Sequence, residues 1–175
     1  MNLIEEFVQS AEAAAARVQV IQSDSEPLNN SLSHLIRNEK SVILGLSDNL
    51  DPELFSKFRS DNRVIAEPTK EQLKSTRAGI TDAFCGVAST GSVCVSVSRS
   101  FAAPVSMLTR SLIVVIDSKA IIPRPRDAFS THFLGGIGLH RSFSFITGPS
   151  ATADMGPLVR GVHGPGELHI IVLAS

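Results

Sequence analysis

The strongest constraint on the fold is the run Leu112-Ile113-Val114-Val115-Ile116, in which five consecutive residues are aliphatic. A strand with one face in water alternates apolar and polar residues, so an uninterrupted run predicts a strand that is buried on both faces. Shorter apolar runs lie at residues 41–46, 63–66, 143–147 and 168–173, and stretches with helical spacing separate several of them. The pattern predicts an α/β fold with a mostly parallel central sheet that is flanked by helices.

Length and composition favour a single domain that covers residues 1–175. The apolar fraction of 43% is sufficient to build one core in a chain of this length. Residues 2–18 have helical spacing and are followed by a polar stretch, residues 23–31, which suggests an N-terminal helical arm over residues 1–30. A further helix is expected over residues 127–136.

Charge and hydropathy exclude several classes of partner. The formal net charge of −1 gives no reason to expect nucleic acid or an anionic membrane surface. No apolar run is long enough to span a bilayer, and Glu5 and Glu6 interrupt the N-terminal apolar residues where a signal peptide would need them. We therefore expect a cytoplasmic protein with no nucleic-acid partner and no membrane partner.

The two cysteines of the chain, Cys85 and Cys94, leave two interpretations open. They are too few for a disulfide framework and lack the paired spacing of a zinc or iron–sulfur site, so we expect no metal and no cofactor in this chain. Either they are two buried, reduced thiols, or a hairpin places them side by side as a redox pair. The sequence also lacks a Walker motif and a dinucleotide-binding glycine fingerprint.

A first candidate site lies in the run from Thr147 to Asp154, directly after a predicted strand. Its small and hydroxylic residues predict the start of a helix, with Ser150 or Thr152 as the cap and Asp154 in the first turn. The free backbone N–H groups at such a helix end, following Gly148, would bind a carboxylate or a phosphate. Helix capping alone would also account for these residue types.

Two further loops carry groups that suit a ligand. Thr90, Gly91 and Ser92 lie between two extended segments, where their hydroxyls and amides would point at an anion and Gly91 would allow its close approach. An ordinary turn is the alternative. His163 precedes Gly164 in a loop rich in glycine and proline, which would aim its imidazole as a base, a ligand or a simple hydrogen-bonding group.

Several of these motifs resemble the lactate-utilisation (LUD) domain family. The segments 148–150, 152–154 and 161–165 are similar to its C-terminal signature, and the segments 79–81 and 88–93 to its central motif. The chain departs from the family at Ala151, where arginine is usual, and at Gly156, where an acidic residue is usual. The resemblance implies a fold similar to that of ribose-5-phosphate isomerase and the CoA transferases.

The resemblance also implies a function. It indicates an accessory subunit in the oxidation of lactate or a related organic acid, which binds a small organic anion while iron–sulfur clusters belong to partner proteins. The alternative is an independent enzyme or a binding module for a phosphorylated or acyl-CoA-type small molecule. Both hypotheses require two distant loops to meet at the rim of the sheet. The ligand-binding residues that we expect are Thr90, Gly91, Ser92, Gly148, Ser150, Thr152, Asp154, His163 and Gly164.

Overall fold

The computed structural model describes residues 2–97, 100–130, 142–152 and 156–174. Within them, short 3-10 helices lie at Pro52–Phe55, Ser118–Ala120 and Pro125–Phe129. The helices and strands are, in chain order, α1 (Leu3–Ala13), β1 (Arg17–Gln22), α2 (Ser25–Leu35), β2 (Val42–Leu44), α3 (Ser56–Arg59), β3 (Val64–Ile65), α4 (Lys70–Ser75), β4 (Ala78–Asp82), β5 (Cys85–Val87), β6 (Ser92–Val97), α5 (Ala102–Leu108), β7 (Ser111–Asp117), β8 (Ile121–Ile122), β9 (Ser142–Ile146), β10 (Ala151–Thr152), β11 (Val159–Arg160) and β12 (Glu167–Ala174).

The central sheet has six strands in the order β1-β12-β7-β4-β2-β3, and every neighbouring pair is parallel. The α/β fold with a mostly parallel central sheet flanked by helices is therefore confirmed. The aliphatic run predicted as a strand is β7, which lies between β12 and β4. Its position inside the sheet explains why neither face can carry polar residues.

Alternate side chains of β7 belong to two separate apolar cores. Leu112, Val114 and Ile116 pack on the face that also holds α1, α5 and part of a second sheet. Ile113 and Val115 pack on the opposite face, which α2 and the helical residues around Phe55 and Phe58 cover. Because successive side chains of a strand point to opposite faces, one continuous run supplies both cores.

A second sheet lies against the central one. Its strand order is β8-β5-β6-β9, with antiparallel β5-β6 and β6-β9 pairs and a parallel β5-β8 pair. Phe7 and Ala11 of α1 are fully buried in the same cluster as Val93 of this sheet and Ile116 of the central sheet. Helix α1 therefore connects the two sheets through apolar contacts.

The N-terminal segment differs from its prediction. The helix expected to reach Val18 ends at Ala13, and Ala15 adopts a left-handed φ of 68°. The following residues form β1, which pairs in parallel with β12 at the edge of the central sheet. Strand pairing here outweighs the high helix propensity of the alanine run. Residues 1–30 therefore include a strand of the central sheet as well as helical residues.

The helix predicted over residues 127–136 can be compared only in part. Its first residues, up to Phe129, belong to the 3-10 helix Pro125–Phe129 rather than to an α-helix. The residues from 131 onwards lie outside the described ranges.

Two glycines pack against the C-terminal end of α1. Gly91 has a φ of 64°, and a Cβ atom on it would overlap the backbone of Ala11. Gly148 has a φ of 68°, and its Cβ atom would overlap the carbonyl oxygen of Ala14. The close approach expected between Gly91 and a ligand is therefore a close approach to helix α1. Two of the candidate loops, the one with Gly91 and the one with Gly148, are therefore held by the same helix end.

Alanine at either glycine should destabilise the protein strongly. We expect Gly91→Ala and Gly148→Ala each to lower the free energy of unfolding by more than about 2 kcal/mol, because left-handed backbone strain adds to the overlap with α1. Gly156→Ala is the matched control, since no heavy atom lies within 4 Å of its Cβ position. Urea denaturation measures all three variants, and equal stabilities of Gly91→Ala and Gly156→Ala would contradict the packing described above.

Candidate functional site

A cavity of about 390 Å³ opens beside β9, in the region of the candidate site that begins at Thr147. The described residues that line it come from α5, from β9 and from the two segments that follow it: Ser106, Met107, Ser144, Phe145, Ile146, Thr147, Gly148, Pro149, Ser150, Ala151, His163, Gly164 and Pro165. The structure therefore brings four of the predicted site residues together at one surface. Thr152 lies one residue beyond the lining, Asp154 lies outside the described residues, and Thr90, Gly91 and Ser92 do not line this cavity.

The helix expected after Ser150 is absent from the described residues. Ala151–Thr152 instead pairs antiparallel with Val159–Arg160, as β10 and β11. The Ser150 amide donates to the carbonyl of Pro165 at 2.7 Å, so it is not free for an anion. Glycine and proline at 156–157 disfavour a helix here, and the chain turns back into a hairpin instead.

The amides of Thr90 and Gly91, in another candidate loop, are also engaged within the protein. The N–H groups of Thr90 and Gly91 both donate to the carbonyl of Val87, at 3.4 and 2.8 Å. These bonds close the turn of the β5-β6 hairpin. The expected cradle of unpaired amides is therefore wrong at Thr90 and Gly91, as it is at Ser150. Among the described lining residues, the polar side chains that can contact a ligand are hydroxyls and the imidazole of His163.

Side-chain hydroxyls nevertheless join the two loops. The Thr90 Oγ1 and Ser92 Oγ atoms are 2.7 Å apart, and Ser92 Oγ is 2.7 Å from Thr147 Oγ1. Thr147 lines the cavity, so the chain of three hydroxyls ends at its wall. Each hydroxyl both donates and accepts, so a change at Thr147 can be transmitted to the turn at Thr90.

The cavity is polar but carries little charge. Its polar side chains among the described lining residues are the hydroxyls of Ser106, Ser144, Thr147 and Ser150 and the imidazole of His163, with no lysine, arginine, aspartate or glutamate. The Ser106 hydroxyl donates to the carbonyl of Ala103 at 2.8 Å. Met107 and Phe145 add an apolar wall. Such a surface suits a small molecule that forms several hydrogen bonds and carries at most a low charge.

Sequence reasoning missed Asp82, which is 1% exposed at the carboxyl end of β4. Its Oδ1 accepts the amide of Ser47 and its Oδ2 accepts the amide of Asn49, both at 2.6 Å. Burial raises the pKa of Asp82, although these two hydrogen bonds oppose the shift. A carboxylate at the carboxyl end of a parallel strand would have been the signal, because the loops after neighbouring strands meet there, but the sequence pattern predicted no strand at Ala78–Asp82.

Membrane-spanning helices and metal-binding clusters are both absent from the described ranges. No helix there combines the length and the apolar character needed to cross a membrane. No group of three or more His, Cys, Asp or Glu side chains is arranged there to hold a metal ion.

The fold and the cavity define a class: an α/β protein with a six-stranded parallel sheet, a second, mixed sheet and a hydroxyl-rich cavity at the edge strand of that second sheet. The chain belongs to the LUD domain family, whose model matches residues 4–173. This match covers almost the full length and includes both loops that carried the resemblance in the sequence.

Curated relatives and a solved structure agree with this membership. The chain is 29% identical over 113 residues to lactate utilization protein C of Bacillus subtilis (strain 168), covering 62% of this chain and 47% of the relative. It is 30% identical over 117 residues to the protein of the same name from Oceanobacillus iheyensis, covering 65% of this chain and 47% of the relative. The chain spans about half the length of these relatives.

The solved structure shares the fold across nearly the whole chain. It is the crystal structure of a DUF162 family protein from Deinococcus radiodurans, with a TM-score of 0.72 at 17% identity. The alignment covers 98% of this chain and 96% of that one.

The buried carboxyl group of Asp82 should make stability depend on pH. Because burial raises its folded-state pKa above the unfolded value of about 3.9, the folded protein binds this proton more tightly. Its contribution to the free energy of unfolding should be complete below the unfolded-state pKa and be lost as pH rises through the folded-state pKa. As pH falls from neutral towards the unfolded-state pKa of about 3.9, the native protein should gain stability relative to Asp82→Asn. A relative loss on acidification would show that the pKa is lowered.

The hydroxyl chain should behave as a coupled unit. We expect Ser92→Ala and Thr147→Val each to cost about 1 kcal/mol of unfolding free energy. A double-mutant cycle should give a coupling energy of about 0.5–1.5 kcal/mol, because each single change removes the same hydrogen bond. Additive effects of the two substitutions, measured by urea denaturation, would mean that this hydrogen bond contributes nothing.

Proposed function

We propose that this protein takes part in the utilisation of lactate or a related organic acid, as an accessory subunit that binds a small organic anion. Membership of the LUD domain family over residues 4–173 supports this role. The curated relatives are named for lactate utilisation, and the alignments with them cover up to 65% of this chain.

The cavity beside β9 is the proposed binding site. The observation that carries this proposal is the convergence of Thr147, Ser150 and His163 on one cavity of about 390 Å³. An imidazole N–H can donate a hydrogen bond to a carboxylate, while serine and threonine hydroxyls can accept from or donate to a substrate hydroxyl. A hydroxy acid with a single carboxylate therefore matches the groups that the cavity offers.

A phosphorylated or acyl-CoA-type ligand is less well matched. Phosphate groups are usually bound by arginine, lysine or the amides at a helix N-terminus. The described lining contains no arginine or lysine, and a hairpin stands where the helix end was expected. The alternative function, an independent enzyme or binding module for such a ligand, is therefore the weaker proposal. The ligand titration described below distinguishes it from the first.

Redox centres are assigned to partner proteins. An iron–sulfur cluster usually needs four protein ligands, and the two cysteines of this chain cannot provide them. Electron transfer during lactate oxidation would then take place in iron–sulfur proteins that associate with this one, and we expect that assembly in the cytoplasm. Co-purification of the tagged protein with such partners is the direct check on this part of the proposal.

A thermal-shift titration tests the binding site. Lactate or glycolate at a hundred times its dissociation constant should stabilise the protein by about 2.7 kcal/mol, which corresponds to a rise in Tm of about 5–10 °C. Ribose 5-phosphate and a CoA ester are the competing ligands. Stabilisation by these compounds alone would favour the alternative function, and no shift with any compound would refute the cavity as a small-molecule site.

Two histidine variants locate the binding. His163→Ala should reduce the lactate-induced rise in Tm, because it removes the one imidazole of the described lining. His34→Ala is the matched control, since His34 is exposed on α2 and does not line the cavity. Equal ligand-induced shifts in the two variants would place the ligand elsewhere.

A further inference from the structure

The two cysteines lie directly opposite one another on neighbouring strands. Cys85 of β5 is the register partner of Cys94 of β6 in an antiparallel pair, and both side chains are 0% exposed. Opposed residues in such pairs have Cα atoms about 4.5–5.5 Å apart. This separation lies inside the range of about 4.4–6.8 Å that a disulfide requires. The sequence predicted a redox pair only if a hairpin placed the cysteines side by side, and the β5-β6 hairpin does so.

The two thiols also contact each other. A hydrogen bond with Cys85 raises the pKa of the Cys94 thiol, and burial raises it further. Ala128 belongs to the same buried cluster, and Phe84 and Phe143 pack against it. Both the raised pKa and this cover slow the attack of a thiolate in the closed protein, so oxidation should proceed through transient opening of the hairpin.

We propose that Cys85 and Cys94 form a reversible cross-strand disulfide when the protein meets a low-molecular-weight disulfide such as oxidised glutathione. One cysteine thiolate attacks a sulfur of the small disulfide, and a small thiolate leaves. The second cysteine thiolate attacks the resulting mixed disulfide at the protein sulfur, and the second small thiolate leaves. The two cysteine protons end on the two released thiols, and the protein pair has lost two electrons to the reagent.

The position of the bond connects it to both candidate loops. The chain that it closes contains Thr90, Gly91 and Ser92, the turn that packs on α1. Cys94 is in turn the register partner of Phe145 in β9, and Phe145 lines the cavity. A disulfide would therefore hold together the strands that support the cavity wall. Formation of this disulfide does not depend on which ligand the cavity binds.

The experiment is oxidation of the native protein with oxidised glutathione, followed by denaturation and alkylation of the remaining thiols. The expected product is an intact mass lower by two hydrogens, with no glutathione adduct and no alkyl label. Its Tm should exceed that of the reduced protein by about 5–10 °C, because the bond closes a short loop in the unfolded chain. Dithiothreitol should reverse both changes, and low urea should accelerate oxidation.

The controls are Cys85→Ala and Cys94→Ala, each of which keeps one thiol. Neither variant should show a difference in Tm between oxidising and reducing conditions. Comparison of the oxidised and reduced native protein does not depend on either variant folding. Two alkylated thiols after oxidation in low urea, a stable mixed disulfide, a disulfide-linked dimer, or a lower Tm in the oxidised form would each overturn the proposal.

Discussion

The packing of two glycine turns on the C-terminal end of α1 is the contact on which the arrangement of the site depends. Gly91 and Gly148 bring their loops so close to this helix end that no Cβ atom fits between them. The same helix buries Phe7 and Ala11 between the two sheets. Apolar burial thus places the helix, and backbone contacts at its end fix the two loops. The cavity lies beside the second of these loops.

This geometry changes the chemistry of the candidate site. The amides that were expected to bind an anion form hydrogen bonds within the protein instead. Those of Thr90 and Gly91 close a hairpin turn, and that of Ser150 donates to a carbonyl of a neighbouring loop. Buried backbone N–H groups must find partners, and here they find them within the protein. The polar side chains that the described cavity lining offers for recognition are hydroxyls and one imidazole. They favour a hydroxylated monocarboxylate, and they make the bond between Ser92 and Thr147 the direct link between the two loops.

Several parts of the fold follow from local sequence patterns. The aliphatic run in β7 indicated a strand covered on both faces, and the order of strands and helices indicated a parallel sheet. The Asp51 carboxylate accepts the amide of Glu53 at the start of the 3-10 helix Pro52–Phe55, a cap formed by residues adjacent in the chain. These features are readable because each depends on neighbours in the chain.

Other parts depend on contacts between distant residues. The helix favoured by the alanine run ends early, and β1 follows it because this strand pairs with β12. No local sequence pattern indicates that β12 is available as a partner strand. The segment after Ser150 pairs as a hairpin, although its residue types are also those of a helix start. The pairing of Cys85 with Cys94 likewise depends on the register of two strands.

The primary structure thus determined the fold class, the family and the residue types available to the site, since periodicity and short motifs are local properties. The folded chain decided which amides are already paired, which loops meet and which thiols touch. Those outcomes depend on register and close packing between segments far apart in the chain, where a shift of one residue reverses the face that each side chain occupies.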